Sequence, residues 1–86
     1  SLGEAAQVAV PAEWTSVAEP GAGGAVAVLV SADGPYRMRV DGTVYTLDGD
    51  TAVRVPVKAS TLLELKALGS PVTASVTRMG ETVAAQ

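Results

Sequence analysis

One dipeptide, Asp41-Gly42, constrains the fold of this chain more than any other feature. Asp-Gly is favoured in two-residue type I′ turns, which join antiparallel strands and need positive φ angles. Residues 36–40 alternate between apolar side chains and arginines, and residues 43–47 continue the alternation after the dipeptide. The pattern predicts a β-hairpin with its apolar side chains on one face and Arg37, Arg39, Val44 and Thr46 on the other. The predicted register pairs Val40 with Thr43, Met38 with Tyr45 and Tyr36 with Leu47.

Turn signals recur on both sides of the hairpin, at Asp33-Gly34-Pro35 and at Asp48-Gly49-Asp50. Segments of strand length, either alternating or continuously apolar, lie between such turns. Together they give about eight short antiparallel strands at intervals of roughly ten residues, which predicts an all-β fold, a single small β-sandwich or jelly-roll-like barrel. Besides the hairpin, strands are expected near residues 5–10, 13–17, 25–31, 51–57, 61–68 and 72–78.

The strand patterns also predict which side chains face the core. The continuous apolar run over residues 25–31 is typical of a strand covered on both faces. Pro56 has no amide hydrogen to donate, so its strand should lie at a sheet edge or contain a bulge. In the two alternating strands, the inward residues are expected to be Val53, Val55 and Val57, followed by Val72, Ala74 and Val76.

Residues 61–68 are open to two interpretations. Thr61 and Glu64 have the spacing of a capping box, and the leucines at 62, 65 and 68 would share a helical face. Eight residues are barely two helical turns, however, and the neighbouring segments on both sides are expected strands. This context favours a strand over a helix.

Composition excludes several classes of function. The 86 residues contain no Cys and no His, so a disulfide framework, a thiol nucleophile, an imidazole base and an ordinary zinc site are excluded. A net charge of -3 with six basic residues argues against a general nucleic-acid binder. The longest apolar run is too short to cross a bilayer, and the N-terminus lacks the pattern of a signal peptide. We therefore expect neither nucleic acid nor membrane as a partner.

Two short motifs resemble ligand sites, but a structural role explains each better. Asp48-Gly49-Asp50 lacks the further ligands and closing Glu of a calcium loop, and it is interpreted as a turn. The glycines at residues 21–24 precede an expected strand, whereas a phosphate loop requires a helix at that point. We expect no catalytic, cofactor-binding or metal-binding residues, and the protein is not expected to be an enzyme.

Surface contacts are the remaining source of function. Arg37 and Arg39, joined by Arg54 if it lies on the same outer surface, form a basic cluster that is either a solvated face or a contact for an acidic partner. Trp14, the single tryptophan, is interpreted as a side chain that fills the core, in preference to one that binds a partner. A core built mostly from Val and Ala buries little apolar area, and small domains of this kind often gain stability by oligomerising. Val44, Leu62 and Leu68 are predicted to face outward and are candidate subunit contacts.

The strands and turns follow one another in a characteristic order. The segments are 12–17, a glycine-rich loop, 25–30, Gly34 to Gly42, Leu47-Asp-Gly-Asp50, Val55-Pro-Val57-Lys-Ala, and Leu63-Glu-Leu65. Over residues 12–78 this order resembles small β-sandwich accessory proteins of tailed-phage virions, of the capsid-decoration and head-fibre type. The resemblance implies a jelly-roll-like domain, commonly trimeric, that lies on a capsid or tail surface.

The resemblance implies that the N-terminal segment is an arm laid on a neighbouring subunit. With the strand pattern, this predicts an N-terminal arm or edge strand at residues 1–11, the β-sandwich domain at residues 12–79 and a loose tail at residues 80–86. The expected function is that of a capsid decoration subunit, located in the virion and assembled in the host cytoplasm. Its expected partners are further copies of the chain and the major capsid protein or another virion protein. One alternative is a carbohydrate- or receptor-binding module of a tail fibre or bacterial surface protein; another is a cytoplasmic bacterial β-domain of unrelated role. The expected interface residues are Leu2, Val8, Val10, Trp14, Arg37, Arg39, Val44, Arg54, Leu62 and Leu68.

Overall fold

The computed structural model of the protein describes the backbone of residues 2–80 and the side chains of residues 5–80. Within this part of the chain, eight strands and one short 3-10 turn, Ala22–Gly24, form the fold. The expected tail at residues 80–86 lies, beyond Gly80, outside the described residues. The strands are β1 (Leu2–Val10), β2 (Thr15–Ser16), β3 (Ala25–Ala32), β4 (Tyr36–Val40), β5 (Thr43–Leu47), β6 (Val53–Pro56), β7 (Leu63–Ala67) and β8 (Val72–Gly80).

The strands form two antiparallel four-stranded sheets that pack as a sandwich. Sheet 1 has the strand order β1-β8-β3-β6, and sheet 2 has the order β2-β7-β4-β5. In this arrangement β4 pairs with β5, β3 with β6, β2 with β7 and β1 with β8, as in one long hairpin rolled into two sheets. This nested pairing is jelly-roll topology. The predicted fold class is confirmed.

The central hairpin has the predicted register. Val40 pairs with Thr43, Met38 with Tyr45 and Tyr36 with Leu47. Its turn uses positive φ angles of 47° at Asp41 and 90° at Gly42, as the Asp-Gly sequence predicts. The Asp41 carboxylate also accepts a hydrogen bond of 2.8 Å from the backbone N–H of Leu62, which ties the turn to the segment before β7.

The ambiguous segment at residues 61–68 contains a strand and no helix. β7 covers Leu63–Ala67 and lies between β2 and β4 in sheet 2. The Thr61 hydroxyl accepts a hydrogen bond of 2.8 Å from the backbone N–H of Lys58, so it closes a turn before the strand and does not cap a helix. Pairing with strands on both sides outweighs the local helix preference of the leucines.

The core is one cluster of small aliphatic side chains from both sheets. The inward positions of β6 and β8 follow the predicted alternation, with Val53 half-buried and the other inward residues buried. Tyr36, from β4, is the largest fully buried side chain. The other fully buried large side chains are Leu63, Leu65, Val10, Val28 and Val30.

One prediction for β3 is wrong. The strand is central in sheet 1, but its outer face has no second layer over it, since Val26 is 41% exposed and Leu29 is only half-buried. The unbroken apolar run therefore marks a central strand covered fully on one face. Pro56 lies, as predicted, in an edge strand.

β1 pairs with β8 over most of its length and forms one edge of sheet 1. The pairing is regular from Ala5 to Val10 and contains an irregularity between Leu2 and Ala5. Among the described residues there is no helix of the length and hydropathy needed to cross a membrane.

Candidate interaction surfaces

An apolar cleft opens along one side of the sandwich, between the edge strands β5 and β6. Its volume is about 410 Å³, and inward-facing residues of both sheets line it together with the exposed residues Arg54 and Pro56 of β6. Tyr45 contributes to this lining, yet 51% of its surface is exposed. The hairpin register placed Tyr45 correctly on the inner face, but sheet 1 does not extend far enough to cover it. The other lining residues are Met38, Val40, Leu47, Val53, Arg54, Val55 and Pro56.

The backbone edge of β5 lies beside this cleft and has none of the features that usually protect an edge. Natural sheets block edge pairing with charged side chains, proline, bulges or very short strands. β6 carries Arg54 and Pro56, β2 has two residues, and β1 is irregular near its start. β5 has the sequence Thr-Val-Tyr-Thr-Leu, and four of its five residues are exposed. Among the edges of the described sheets, that of β5 is the best suited to pair with another chain.

The outer surface of sheet 2 carries a different set of residues, which we call the basic face. It is centred on an ion pair in which Arg39 Nε lies 2.8 Å from Glu64 Oε1 and Arg39 Nη2 lies 2.7 Å from Glu64 Oε2. The Arg39 guanidinium also stacks over Trp14, 4.2 Å from the centroid of the indole ring. These two hydrogen bonds lower the pKa of the Glu64 carboxyl below its usual range and raise the pKa of Arg39. The basic face comprises Trp14, Arg37, Arg39, Val44, Thr46, Glu64 and Lys66.

Arg37 and Lys66 lie next to each other on this face. They are directly opposite residues of the paired strands β4 and β7. Lys66 Nζ also lies 5.8 Å from the centroid of the Trp14 ring. Neither cation forms a hydrogen bond or ion pair with another described residue. Like charges at directly opposite positions destabilise a sheet, so a negative charge placed beside this pair would reduce the repulsion between the two cations.

Most of the expected interface residues lie on or around the basic face. Arg37, Arg39 and Val44 belong to it, and Val44 is 49% exposed. Leu62 and Leu68 flank β7 and are both exposed, Leu62 by 67%. Leu62 also borders a second groove, of about 470 Å³, where the connection after β2 meets the connection before β7.

Three of the expected placements need correction. Arg54 lies on β6 in sheet 1, so it does not join Arg37 and Arg39. Val10 is 1% exposed and packs in the core, so its side chain is not available to a neighbour, and Val8 is half-buried against the same core. Trp14 does not plug the core, because it is half-buried on the outer surface beneath Arg39. The side chain of Leu2 lies outside the described residues.

Sequence reasoning missed two members of the basic face, Glu64 and Lys66. The uncertain structure of residues 61–68 hid them, because a helix would have distributed these side chains differently. Once β7 is a strand, the alternation of Leu63, Leu65 and Ala67 inward places both charges outward beside β4. Assigning residues 61–68 to a strand would therefore have placed Glu64 and Lys66 on the basic face.

No arrangement of three or more acidic side chains able to hold a metal ion occurs among the described residues. No protein-family model matches this chain, and comparison with curated proteins finds no match.

Proposed function

We propose that this protein is a capsid decoration subunit of a tailed-phage virion, which binds the shell as a homo-oligomer and stabilises it through protein-protein contacts. It would assemble in the host cytoplasm and remain in the virion. The observation that carries this proposal is the apolar cleft beside the uncharged edge of β5, where Tyr45 is 51% exposed. An apolar surface that a small domain leaves open is typical of a protein-protein contact site.

The topology agrees with this proposal, since viral capsid proteins and lectins both use double-sheet jelly rolls. Because one topology serves many functions, the candidate functions have to be distinguished by the surface features of the molecule. The cleft is lined mainly by aliphatic side chains and has a free strand edge at its rim. A strand or an apolar loop of a neighbouring capsid protein would fit these features, because strand addition combines backbone hydrogen bonds with side-chain pockets.

The mechanism of such a subunit is passive. Each copy forms a small contact with the shell, and an oligomer engages several equivalent sites at once. Linked contacts of this kind give a far higher overall affinity than one contact alone. A core of small aliphatic side chains is compatible with this role, because contacts with neighbours supplement its stability.

The test is co-sedimentation of the purified protein with shells assembled from the major capsid protein of the same phage genome. Tyr45→Lys places a charge in the cleft and should weaken shell binding by at least about tenfold. Ser70→Lys adds the same charge at an exposed turn between β7 and β8 and should bind like the wild type. Wild-type protein that stays in the supernatant, or equal binding by both variants, would rule out this role for the cleft.

A second candidate function is carbohydrate binding, and the exposure of Tyr45 and Trp14 favours it. The sequence predicted that Trp14 would fill the core and that Tyr45 would face inward, but Trp14 is half-buried and Tyr45 is 51% exposed, so both can be reached by a sugar ring. Tyr45 is the better platform, because Arg39 covers the Trp14 ring. A glycan-array signal that is lost in Tyr45→Ala, together with no binding to shells, would favour this function over decoration.

A further inference from the structure

We propose that copies of this protein associate through two different surfaces, with the basic face of one copy receiving an acidic end of the next. The acidic end comprises Asp33, Asp48 and Asp50, in the loops that precede β4 and follow β5. This inference rests on the proposed function, of which self-association is a part, and it specifies which surfaces meet.

The first argument is the cation pair of Arg37 and Lys66. The Cβ atoms of directly opposite residues in a sheet are separated by about 4.5–5.5 Å, so the two charges repel each other. Within the described residues neither side chain has an acidic partner. A carboxylate from another molecule, placed between the two cations, would remove the repulsion and form charge-assisted hydrogen bonds with both.

Arg39 does not contribute a free charge to this contact. Its guanidinium is held by two hydrogen bonds to Glu64 and by stacking on Trp14. These contacts fix a flat, rigid surface next to the cation pair. A rigid surface favours association, because few side chains have to lose conformational freedom when a partner binds.

The second argument is charge complementarity within the chain itself. The basic face carries three cations and one carboxylate, a formal charge of +2, whereas the whole chain carries -3. The remainder of the molecule is therefore strongly acidic, with a formal charge of -5. A second copy of the chain consequently offers the complementary charge that the basic face lacks.

The acidic end collects part of this negative charge at one place. The two loops are in contact, since the backbone N–H of Ala32 donates a hydrogen bond of 3.0 Å to the carbonyl oxygen of Gly49. The Asp33 carboxylate accepts a hydrogen bond of 2.9 Å from the backbone N–H of Thr73, which holds its loop on β8. Asp48 and Asp50 are exposed, and neither forms an ion pair with another described residue. These two carboxylates are free to reach the cation pair of a neighbour.

A contact between two different surfaces is heterologous, and it gives a ring when the rotation between copies closes. A closed ring uses every basic face and every acidic end, so no copy is left with an unpaired surface. The trimer expected for the proposed function is a ring of this type.

A charge-exchange experiment tests the inference by sedimentation velocity and light scattering. One variant, Arg37→Asp with Lys66→Asp, makes the basic face acidic; the other, Asp48→Lys with Asp50→Lys, makes the acidic end basic. Each alone should be monomeric, because like charges then face each other across the interface. A chain that carries all four substitutions has complementary surfaces again in every copy and should form the wild-type oligomer. The wild-type oligomer should dissociate when salt is raised from about 50 mM to about 500 mM.

The matched control is Lys58→Asp, which changes the net charge by two units at an exposed position outside both the basic face and the cleft, and it should leave the oligomer intact. Arg37→Ser with Lys66→Ser removes the same charge from the basic face and should give monomers. Circular dichroism and Trp14 fluorescence check that each variant is folded.

The outcomes separate this inference from the proposed function. A wild-type monomer that still binds shells overturns the inference and the homo-oligomeric part of the proposed function, and it leaves shell decoration standing. An oligomer that persists in both charge-reversed variants also overturns it, since another interface must then hold the copies together. A monomer that does not bind shells overturns both.

Discussion

At the scale of single residues, Tyr36 is the most constrained side chain in the core. It is fully buried, and its hydroxyl has no hydrogen-bond partner among the described residues. Burial, with a smaller contribution from the negative charge of Asp48, raises the pKa of Tyr36 to about 12. Because it is buried without a hydrogen-bond partner, the hydroxyl destabilises the fold. Its raised pKa also makes the stability of the fold depend on pH in the alkaline range.

We predict that Tyr36→Phe increases the free energy of unfolding at neutral pH by about 1 kcal/mol, because it removes a buried polar group without a partner. The folded wild type holds the phenol proton more tightly than the unfolded chain, whose tyrosine titrates near 10.0. This contribution to stability is complete below pH 10 and is lost as pH rises towards 12. Urea unfolding across this range should therefore show a weaker alkaline loss in Tyr36→Phe.

The control is Tyr45→Phe, which removes a hydroxyl at an exposed site and should leave the unfolding free energy unchanged at neutral pH. Loss of stability in Tyr36→Phe would indicate that the hydroxyl has a favourable contact in the folded protein.

The Arg39–Glu64 pair makes Trp14 a reporter of acid pH. The pKa of Glu64 lies below its ordinary value of 4.5 because the carboxylate accepts hydrogen bonds from Arg39. The pair therefore contributes stability above pH 4.5, and this contribution is lost as pH falls through the lowered value. Protonation of Glu64 should free Arg39 from its fixed position over the Trp14 ring and change the tryptophan emission.

We predict that Glu64→Gln removes this acid transition in Trp14 fluorescence. Glu13→Gln, which neutralises the carboxylate adjacent to Trp14 in sequence, should retain it. An unchanged transition in Glu64→Gln would show that another group titrates next to the indole.

At the scale of elements, the turns are more predictable from sequence than the surfaces they create. Asp41-Gly42 defined the hairpin and its register because its φ angles are required locally. β7 was harder to predict, since its leucines favour a helix and only pairing with β2 and β4 selects the strand. The exposure of Tyr45 was not predictable from alternation, because it depends on how far the opposite sheet extends. For the same reason, the sequence did not predict the cleft.

Gly49 is required in the turn between β5 and β6 for two reasons. Its φ is 97°, and a Cβ atom there would collide with the backbone carbonyl oxygens of Gly34 and Ala32. Gly42 has a φ of 90° but open space around it. We predict that Gly42→Ala destabilises the fold by about 1 kcal/mol through conformational strain alone. Gly49→Ala should cost more than about 2 kcal/mol, because the loop before β4 must also move.

Chemical denaturation of the two variants measures this difference directly. An equal decrease in the free energy of unfolding in Gly42→Ala and Gly49→Ala would show that the two loops can move apart without an energetic cost.

At the scale of the whole molecule, the two candidate interaction surfaces lie in different places. The apolar cleft lies between the edges of β5 and β6, and the basic face lies on the outer surface of sheet 2. Composition predicted a thin core and a need for neighbours, but the sequence did not locate Lys66 or separate Arg54 from the other arginines. Those placements depend on which strands share a sheet, and turn chemistry alone does not determine strand order.

The nested pairing of the jelly roll also has a kinetic consequence. The β4–β5 pair closes across two residues, whereas the β1–β8 pair joins segments from opposite ends of the described chain. Loop-closure entropy rises with the length of chain between the paired segments, so the inner pairs form at lower entropic cost than the outer ones. Folding should therefore nucleate at the central hairpin and proceed outward. By the same argument, the β1 edge strand should be the last to dock on the sandwich.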